Sequence, residues 1–217
     1  MKKLDFSKRE GLNVIIEGPS GVGKGSIVKQ LLADDPLLHF SVSVTTRAPR
    51  EGEIEGKHYY FISNEKYDEY LKQNAFYEYN NNSYGKRYGT LREKVDPFLA
   101  AGKDVLYDMD WVGARQMRQN AKNVITIYIL PPSIAELRKR LEGRGTDDKA
   151  TIDSRMAVVA EKISHWKEFD YLVINDQIED AVTQIQSIIR VERTKRERAT
   201  ALSDFAAELE EEANSTN

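Results

Sequence analysis

Gly18-Pro19-Ser20-Gly21-Val22-Gly23-Lys24-Gly25-Ser26 is the stretch around which the rest of the chain is arranged. A short apolar run, Leu12-Asn13-Val14-Ile15-Ile16, precedes it, and Ile27-Val28-Lys29-Gln30-Leu31-Leu32 follows. The run reads as a strand and the following segment as a helix. Strand, glycine loop, lysine and helix in that order form a phosphate-binding loop. Glycines let backbone N–H groups turn inward around an anion, where side chains would block the approach. The helix presents its free N–H groups and positive dipole end to the same anion. Lys24 adds a full charge on a flexible stem that can follow a phosphoryl group in transfer. The hydroxyl residue that usually follows this lysine and holds Mg²⁺ is replaced by Gly25. Ser26 comes one place later, and its hydroxyl is the nearest candidate for a phosphate or metal contact.

The totals bound what surrounds this loop. The chain has 217 residues, enough for one domain or one with an inserted subdomain. With 40% apolar and 31% charged residues it reads as an ordinary globular protein with a heavily charged surface. A net charge of −3 gives no global field for nucleic acid or an anionic membrane, so an anion site must be a local concentration of Lys and Arg. Cysteine is absent, which excludes disulfides and thiol chemistry and fits a cytoplasmic setting. No apolar run approaches the roughly 20 residues of a membrane helix. The first residues lack the apolar core of a secretory signal.

Along the chain, Phe40–Thr45 alternates and predicts a strand, with further strands at His58–Ile62 and Ala75–Asn80. Asn64 is expected to cap a helix over 65–73, and Thr90 one over 91–101. Residues 40–90 are mostly strand and loop, whereas the flanking segments alternate strand and helix. The expected fold is therefore a parallel α/β core with a small inserted subdomain. Within the insertion, Thr45-Thr46-Arg47-Ala48-Pro49-Arg50-Glu51-Gly52-Glu53 is a loop whose two arginines, three apart beside hydroxyls, suit a phosphate. A solvated charged loop is the plain alternative.

Asp104-Val105-Leu106-Tyr107-Asp108-Met109-Asp110 predicts a strand ending in two acids on one face. Such acids reach the crevice at the carboxyl ends of the strands, as Mg²⁺ partners or as acceptors for a base's N–H groups. Alternatively they cap the next helix, 111–120. Val124–Leu130 predicts a strand covered on both faces. Arg138, Lys139, Arg140 and Arg144 cluster around Gly143 and Gly145, and a single helix over 149–166 carries Arg155. This arrangement suits a lid closing over phosphates, or else a solvated basic surface. A strand at Tyr171–Asn175 and a helix over 179–196 follow. In the charged tail, Leu202, Phe205, Ala206 and Leu209 make a weak stripe, suited to packing on its own domain or on a partner subunit.

Taken together, the motifs resemble those of guanylate kinases across about residues 12–192. They are Gly18–Lys24, Ser41-Val42-Ser43 leading to Thr45–Arg50 and Gly52-Glu53, Tyr88-Gly89-Thr90, Asp108-Met109-Asp110, Leu141–Gly145 and Val173–Asp176. Lys-Gly followed by a hydroxyl residue is also common in nucleoside monophosphate kinases. The resemblance implies a P-loop kinase core (12–39, 91–132 and 168–196), a GMP-binding subdomain (about 40–90), a lid (about 138–160) and a charged tail (197–217), in one domain over 1–217. It implies Mg²⁺-dependent phosphoryl transfer from ATP to GMP and dGMP, with no nucleic-acid or membrane partner, by a monomer or homodimer. The loop Gly18, Pro19, Ser20, Gly21, Val22, Gly23, Lys24, Gly25 and Ser26, with Asn175 on the adenine side, would hold ATP. Arg47, Arg50, Tyr59 and Tyr88 would hold the phosphate of GMP, and Glu53 and Asp108 would belong to the same GMP-binding set. Ser43, Glu78, Thr90 and Asp110 would read guanine. Lys24, Arg47, Asp108, Arg140, Arg144 and Arg155 would serve the transfer, with Ser26 and Asp108 as candidates near Mg²⁺. Gly85-Lys86-Arg87-Tyr88-Gly89 departs from the family's usual Gly-Asn-Tyr-Tyr-Gly. Two rivals are a binding module, which usually lacks the loop lysine or lid arginines, and a P-loop kinase for a sugar phosphate.

Overall fold

Two sheets carry the strands of the computed structural model, which describes residues 9–81, 85–143, 148–198 and 200–215. The first sheet holds β1 (Asn13–Glu17), β2 (Leu38–Phe40), β7 (Asp104–Asp108), β8 (Val124–Leu130) and β9 (Tyr171–Ile174). The second holds β3 (Val44–Thr45), β4 (Tyr60–Phe61), β5 (Phe76–Asn81) and β6 (Arg87–Leu91). In the first the spatial order is β2-β7-β1-β8-β9, every pairing parallel. The chain leaves β1 toward β2 on one side and later returns to β8 on the other. The carboxyl end of β1 therefore opens on the crevice where such sheets bind ligands.

Alternation along β1 feeds two cores. Val14 and Ile16 pack with Ile27 and Leu31 of α1 (Lys24–Asp34) and with Ile185 and Ile189 of α8 (Ile178–Arg193). Ile15, on the opposite face, packs with Tyr107, with Val95 of α3 (Arg92–Ala100), and with Ala114 and Met117 of α4 (Trp111–Asn120). All five residues of β1 are buried, as a strand covered on both faces must be. The second sheet, in the order β4-β3-β6-β5, has its own small core: Val44, Phe76 and Leu91 around Tyr67 of α2 (Asn64–Lys72). It is the expected insertion, between β2 and α3. α5 (Ile134–Gly143), α6 (Lys149–Ala157) and α7 (Val159–Ser164) lie between β8 and β9, and α9 (Thr200–Ser215) ends the described chain.

Several expectations change. The run Phe40–Thr45 is two strands in different sheets. Ser41 N still donates to Leu106 O of β7 (2.9 Å), whereas Ser43 O accepts from Tyr60 N of the second sheet (2.9 Å), so the partner switches at Val42. Ser63, not Asn64, caps α2 by accepting from Lys66 N (3.2 Å). Thr90 lies within β6, and its hydroxyl donates to Glu78 rather than capping α3. The helix expected over 149–166 is interrupted at Val158 (ψ 1°) and ends as a 3-10 turn at His165–Glu168. Asp110 stands past the end of β7 and caps α4, its Oδ1 accepting from Gly113 N (2.9 Å). In the tail, Ala206 and Leu209 remain exposed, so the stripe finds no cover there; the side chain of Leu202 lies outside the described residues.

Candidate active site

The phosphate loop closes the carboxyl end of β1. Gly21 and Gly23 have φ of +91° and +103°, a region that disfavours side chains. A Cβ on Gly23 would also stand 2.3 Å from Asn175 Nδ2. Asn175, at the end of β9 and 1% exposed, donates from Nδ2 to Val22 O (2.6 Å), while its Oδ1 has no partner. It thus props the loop from beneath. Lys24 Nζ donates to Gly18 O (2.9 Å) and lies 3.3 Å from Asp108 Oδ1. Asp108 reaches it because β7 runs parallel beside β1, with Ile16 opposite Asp108. Ser26 is exposed in the first turn of α1, and Gly25 beside it faces open space.

Glu17, the last residue of β1, escaped the reading of the sequence. It is 2% exposed, and its Oε2 has no partner. Burial pushes its carboxyl up to about 8, against the pull of Lys24 and with a push from Asp110. The available signal was an acid closing an otherwise apolar strand directly before the loop.

On the inserted subdomain, Arg47 and Glu53 form a two-pronged pair (Nη1–Oε2 2.7 Å, Nη2–Oε1 2.8 Å), and Arg50 N donates to Glu53 Oε2 (2.7 Å). This pairing holds the Glu53 carboxyl down at about 2 and raises the Arg47 guanidinium above its ordinary range. Arg47 lies over the Tyr59 ring at 5.3 Å, and Tyr59 meets Tyr88 edge-on at 5.8 Å. The loop, β4 and β6 thereby bring the expected phosphate-holding residues together, with Arg50 exposed at the rim.

Glu78 of β5 is 6% exposed and accepts from Thr90 Oγ1 (2.7 Å). Burial raises its pKa; the Thr90 bond opposes the shift and Asp110 adds to it. Gly113 links the two acids, since its N–H binds Asp110 and its Cβ position is 3.5 Å from Glu78 Oε2. Ser43, Tyr59 and Asp108 line a cavity of about 140 Å³ that Met109 and Phe40 also border. A larger cavity, about 390 Å³, opens at the other end of the sheet beside Gly11, Asn13 and Lys122, away from the phosphate loop.

Among the arginines expected in a lid, Arg155 Nη1 donates to Ser20 Oγ of the loop (3.1 Å). Arg140 binds the carbonyls of Asn175 (2.8 Å) and Asp176 (3.0 Å) and ion-pairs with Glu136 (3.1 Å). Arg138 ties α5 to Asp153 of α6 (2.9 Å). Arg144 lies outside the described residues.

Residues 10–192 match the family model described as guanylate kinase. The chain is 43% identical over 207 residues to the guanylate kinase of Paramagnetospirillum magneticum, covering 95% of this chain and 96% of that protein. With the guanylate kinase of Rickettsia prowazekii it shares 48% over 188 residues (87% and 95%), and with that of Escherichia coli 44% over 191 residues (87% and 92%). The crystal structure of guanylate kinase from Anaplasma phagocytophilum superposes with a TM-score of 0.69 at 32% identity, covering 89% of this chain and 92% of that one. The chain belongs to the guanylate kinase family.

Guanylate kinases use ATP as donor with Mg²⁺, and the residues present fit that ion. Mg²⁺ keeps several waters and takes one or two carboxylates plus phosphate oxygens, rather than an all-protein cage. No group of three or more His, Cys, Asp or Glu side chains able to hold a metal occurs among the described residues. What the site does offer is one 41%-exposed carboxylate, Asp108, beside Lys24, and one exposed hydroxyl, Ser26.

Proposed function

We infer that the chain transfers the γ-phosphoryl group of ATP to GMP or dGMP, giving ADP and GDP or dGDP. A phosphate oxygen of GMP attacks the γ-phosphorus. The bond from that phosphorus to the β-bridging oxygen breaks, and ADP leaves with the electron pair. Catalysis of this kind rests on alignment, fixed positive charge and exclusion of water. In this reading the loop 18–26 cradles the ATP phosphates and Lys24 follows the moving group. Asn175 positions the loop, and Arg140, Arg144 and Arg155 of the lid neutralise and enclose the phosphates. Asp108 and Ser26 would hold Mg²⁺ through water, and the ion supplies positive charge to the phosphate oxygens.

Arg47, Arg50, Tyr59 and Tyr88 hold the GMP phosphate, with Glu53 keeping Arg47 extended until it arrives. Ser43, Glu78, Thr90 and Asp110 read the base. Guanine presents N1–H and an exocyclic amine, both donors, whereas adenine has no N1–H. The observation that carries this reading is the meeting of Glu78, Thr90 and Asp110 at the start of α4, in the crevice that Lys24 and Asp108 also reach. A cytoplasmic setting fits these substrates, and one chain supplies every group invoked, as a monomer or in a homodimer.

ATP consumption with GMP, dGMP, AMP, CMP, UMP and ribose 5-phosphate tests the assignment. GMP should be consumed at least tenfold more efficiently than AMP, CMP, UMP or the sugar phosphate. Equal use of AMP would remove the base readers, and preference for ribose 5-phosphate would replace the substrate class.

A further inference from the structure

Ser41 lies where β2 hands over to the second sheet. Its backbone N–H is fixed on Leu106 O (2.9 Å), and the residue is 8% exposed. Its Oγ is buried and has no hydrogen-bond partner. A buried hydroxyl with nothing to bind is costly, and such groups normally have a partner. The residue lines the cavity of about 140 Å³ together with Ser43, His58, Tyr59 and Asp108. His58 Nδ1 accepts from Ile54 N (2.9 Å), so the neutral ring carries its proton on Nε2 and is a donor there. Asp108 contributes a carboxylate, an acceptor.

The order of these walls identifies what fits between them. In the proposed reading Ser43 stands on the base side and Tyr59 on the phosphate side. In a nucleoside 5′-monophosphate the group between base and phosphate is the sugar, whose hydroxyls both donate and accept. We propose that Ser41 hydrogen-bonds a ribose hydroxyl of the bound guanine nucleotide and sets the enzyme's preference for GMP over its deoxy forms. The proposal rests on the assignment of GMP as substrate and adds a specificity residue to it.

The test compares kcat/KM for GMP, 2′-deoxy-GMP and 3′-deoxy-GMP in the wild type and in Ser41→Ala. The wild type should favour GMP over at least one deoxy form, and the mutation should cut that ratio by about three- to tenfold, the value of one neutral hydrogen bond. The deoxy substrate assayed on the same preparation controls for folding, because a damaged protein loses both substrates alike and leaves the ratio unmoved. Ser41→Thr, which keeps the hydroxyl, should retain the preference. Unchanged ratios for both deoxy forms, or a wild type that treats all three alike, would overturn the role of Ser41. A wild type inactive on all three would instead overturn the substrate assignment.

Discussion

Lys24 and Glu17 stand at the same loop and carry opposite kinds of information. Lys24 is half-buried, and among the described residues its ammonium is bound to Gly18 O and Asp108. Little of the fold depends on it, and most of its value appears when charge moves between phosphates. Lys24→Ala should therefore lower kcat by about 10²–10³-fold, the cost of removing one preorganised electrostatic group. Its melting temperature should stay near that of the wild type. Steady-state turnover at saturating ATP and GMP is the measurement, and near-normal kcat would transfer the role elsewhere. Glu17 makes a prediction about pH. Its carboxyl titrates near 8 when folded and near 4.5 as an ordinary glutamate. Between those values the folded chain keeps a proton that the unfolded chain has released, so stability falls as pH rises through that window and is fully present below it. At 1.36 kcal/mol per unit, the loss from pH 5 to pH 8 is on the order of a few kcal/mol. Glu17→Gln keeps the shape and abolishes the titration. Its melting temperature relative to wild type should rise by roughly 5–10 °C between pH 5 and pH 8, and parallel melting curves across that range would show that Glu17 is not the titrating group.

Among the elements, α4 joins folding to recognition. Asp110 caps it through Gly113 N and lies close enough to Glu78 to raise its pKa, and the proposed reading puts the base beside both. Asn caps a helix about as well as Asp, but its amide cannot offer a carboxylate to guanine. Asp110→Asn should melt within about 2 °C of wild type while raising the KM for GMP several-fold. Asp110→Ala should add a loss of about 1 kcal/mol from the missing cap. Equal melting of the two variants would deny the cap, and an unchanged KM in both would remove Asp110 from the base side. The same helix shows what the sequence could and could not disclose. Trp111–Asn120 and Val124–Leu130 are bounded as expected, because an acid cap and a continuous apolar run are local signals. The division of Phe40–Thr45 between two sheets was hidden, since alternation records which face is buried and not which strand is the neighbour. The interruption at Val158 involves no glycine or proline, so composition gave no warning. Glycine and arginine spacing marked the segments at 18–23 and 46–53 as loops, which they are. The Arg47–Glu53 pair and the propping of the loop by Asn175 depend on tertiary contact. Glu17 was concealed because a strand-terminal acid looks the same whether it is solvated or buried.

At the scale of the whole molecule, a net charge of −3 coexists with Lys24 and Arg155 at the glycine loop and Arg47 and Arg50 on the inserted subdomain, so cations are concentrated where the proposed reading puts the anionic substrates. The opposite end of the sheet is held by another ionic cluster, this one without contact to the site. Asp104, the first residue of β7, is fully buried. Its Oδ1 accepts from Arg9 Nη1 (2.5 Å) and Leu12 N (2.8 Å), and its Oδ2 from Arg193 Nε (2.6 Å). Arg193, ending α8, also pairs with Asp35 beyond α1 (2.6 Å). One carboxylate thus fastens the segment before β1, the end of α8 and the α1–β2 turn to the central sheet. Next to it, buried Glu192 binds Tyr171, Lys195 and Arg198, joining β9 to the start of the tail. Asp104 and Asp108 are at opposite ends of β7, about 13 Å apart along an extended strand. The two clusters should consequently separate stability from catalysis. Asp104→Asn replaces one acceptor oxygen with a donor and removes the buried negative charge between Arg9 and Arg193, a change that costs about 3–5 kcal/mol in comparable settings. In a chain of this size that is a fall of roughly 6–20 °C in melting temperature. In preparations that remain folded at 25 °C, kcat and both KM values should lie within about twofold of wild type, because Asp104 stands at the end of β7 away from Asp108 and Lys24. Thermal melting together with steady-state kinetics on one preparation decides it. A melting temperature unchanged by Asp104→Asn would show the cluster to be dispensable, and loss of kcat in a folded variant would reveal that the two ends of β7 are coupled.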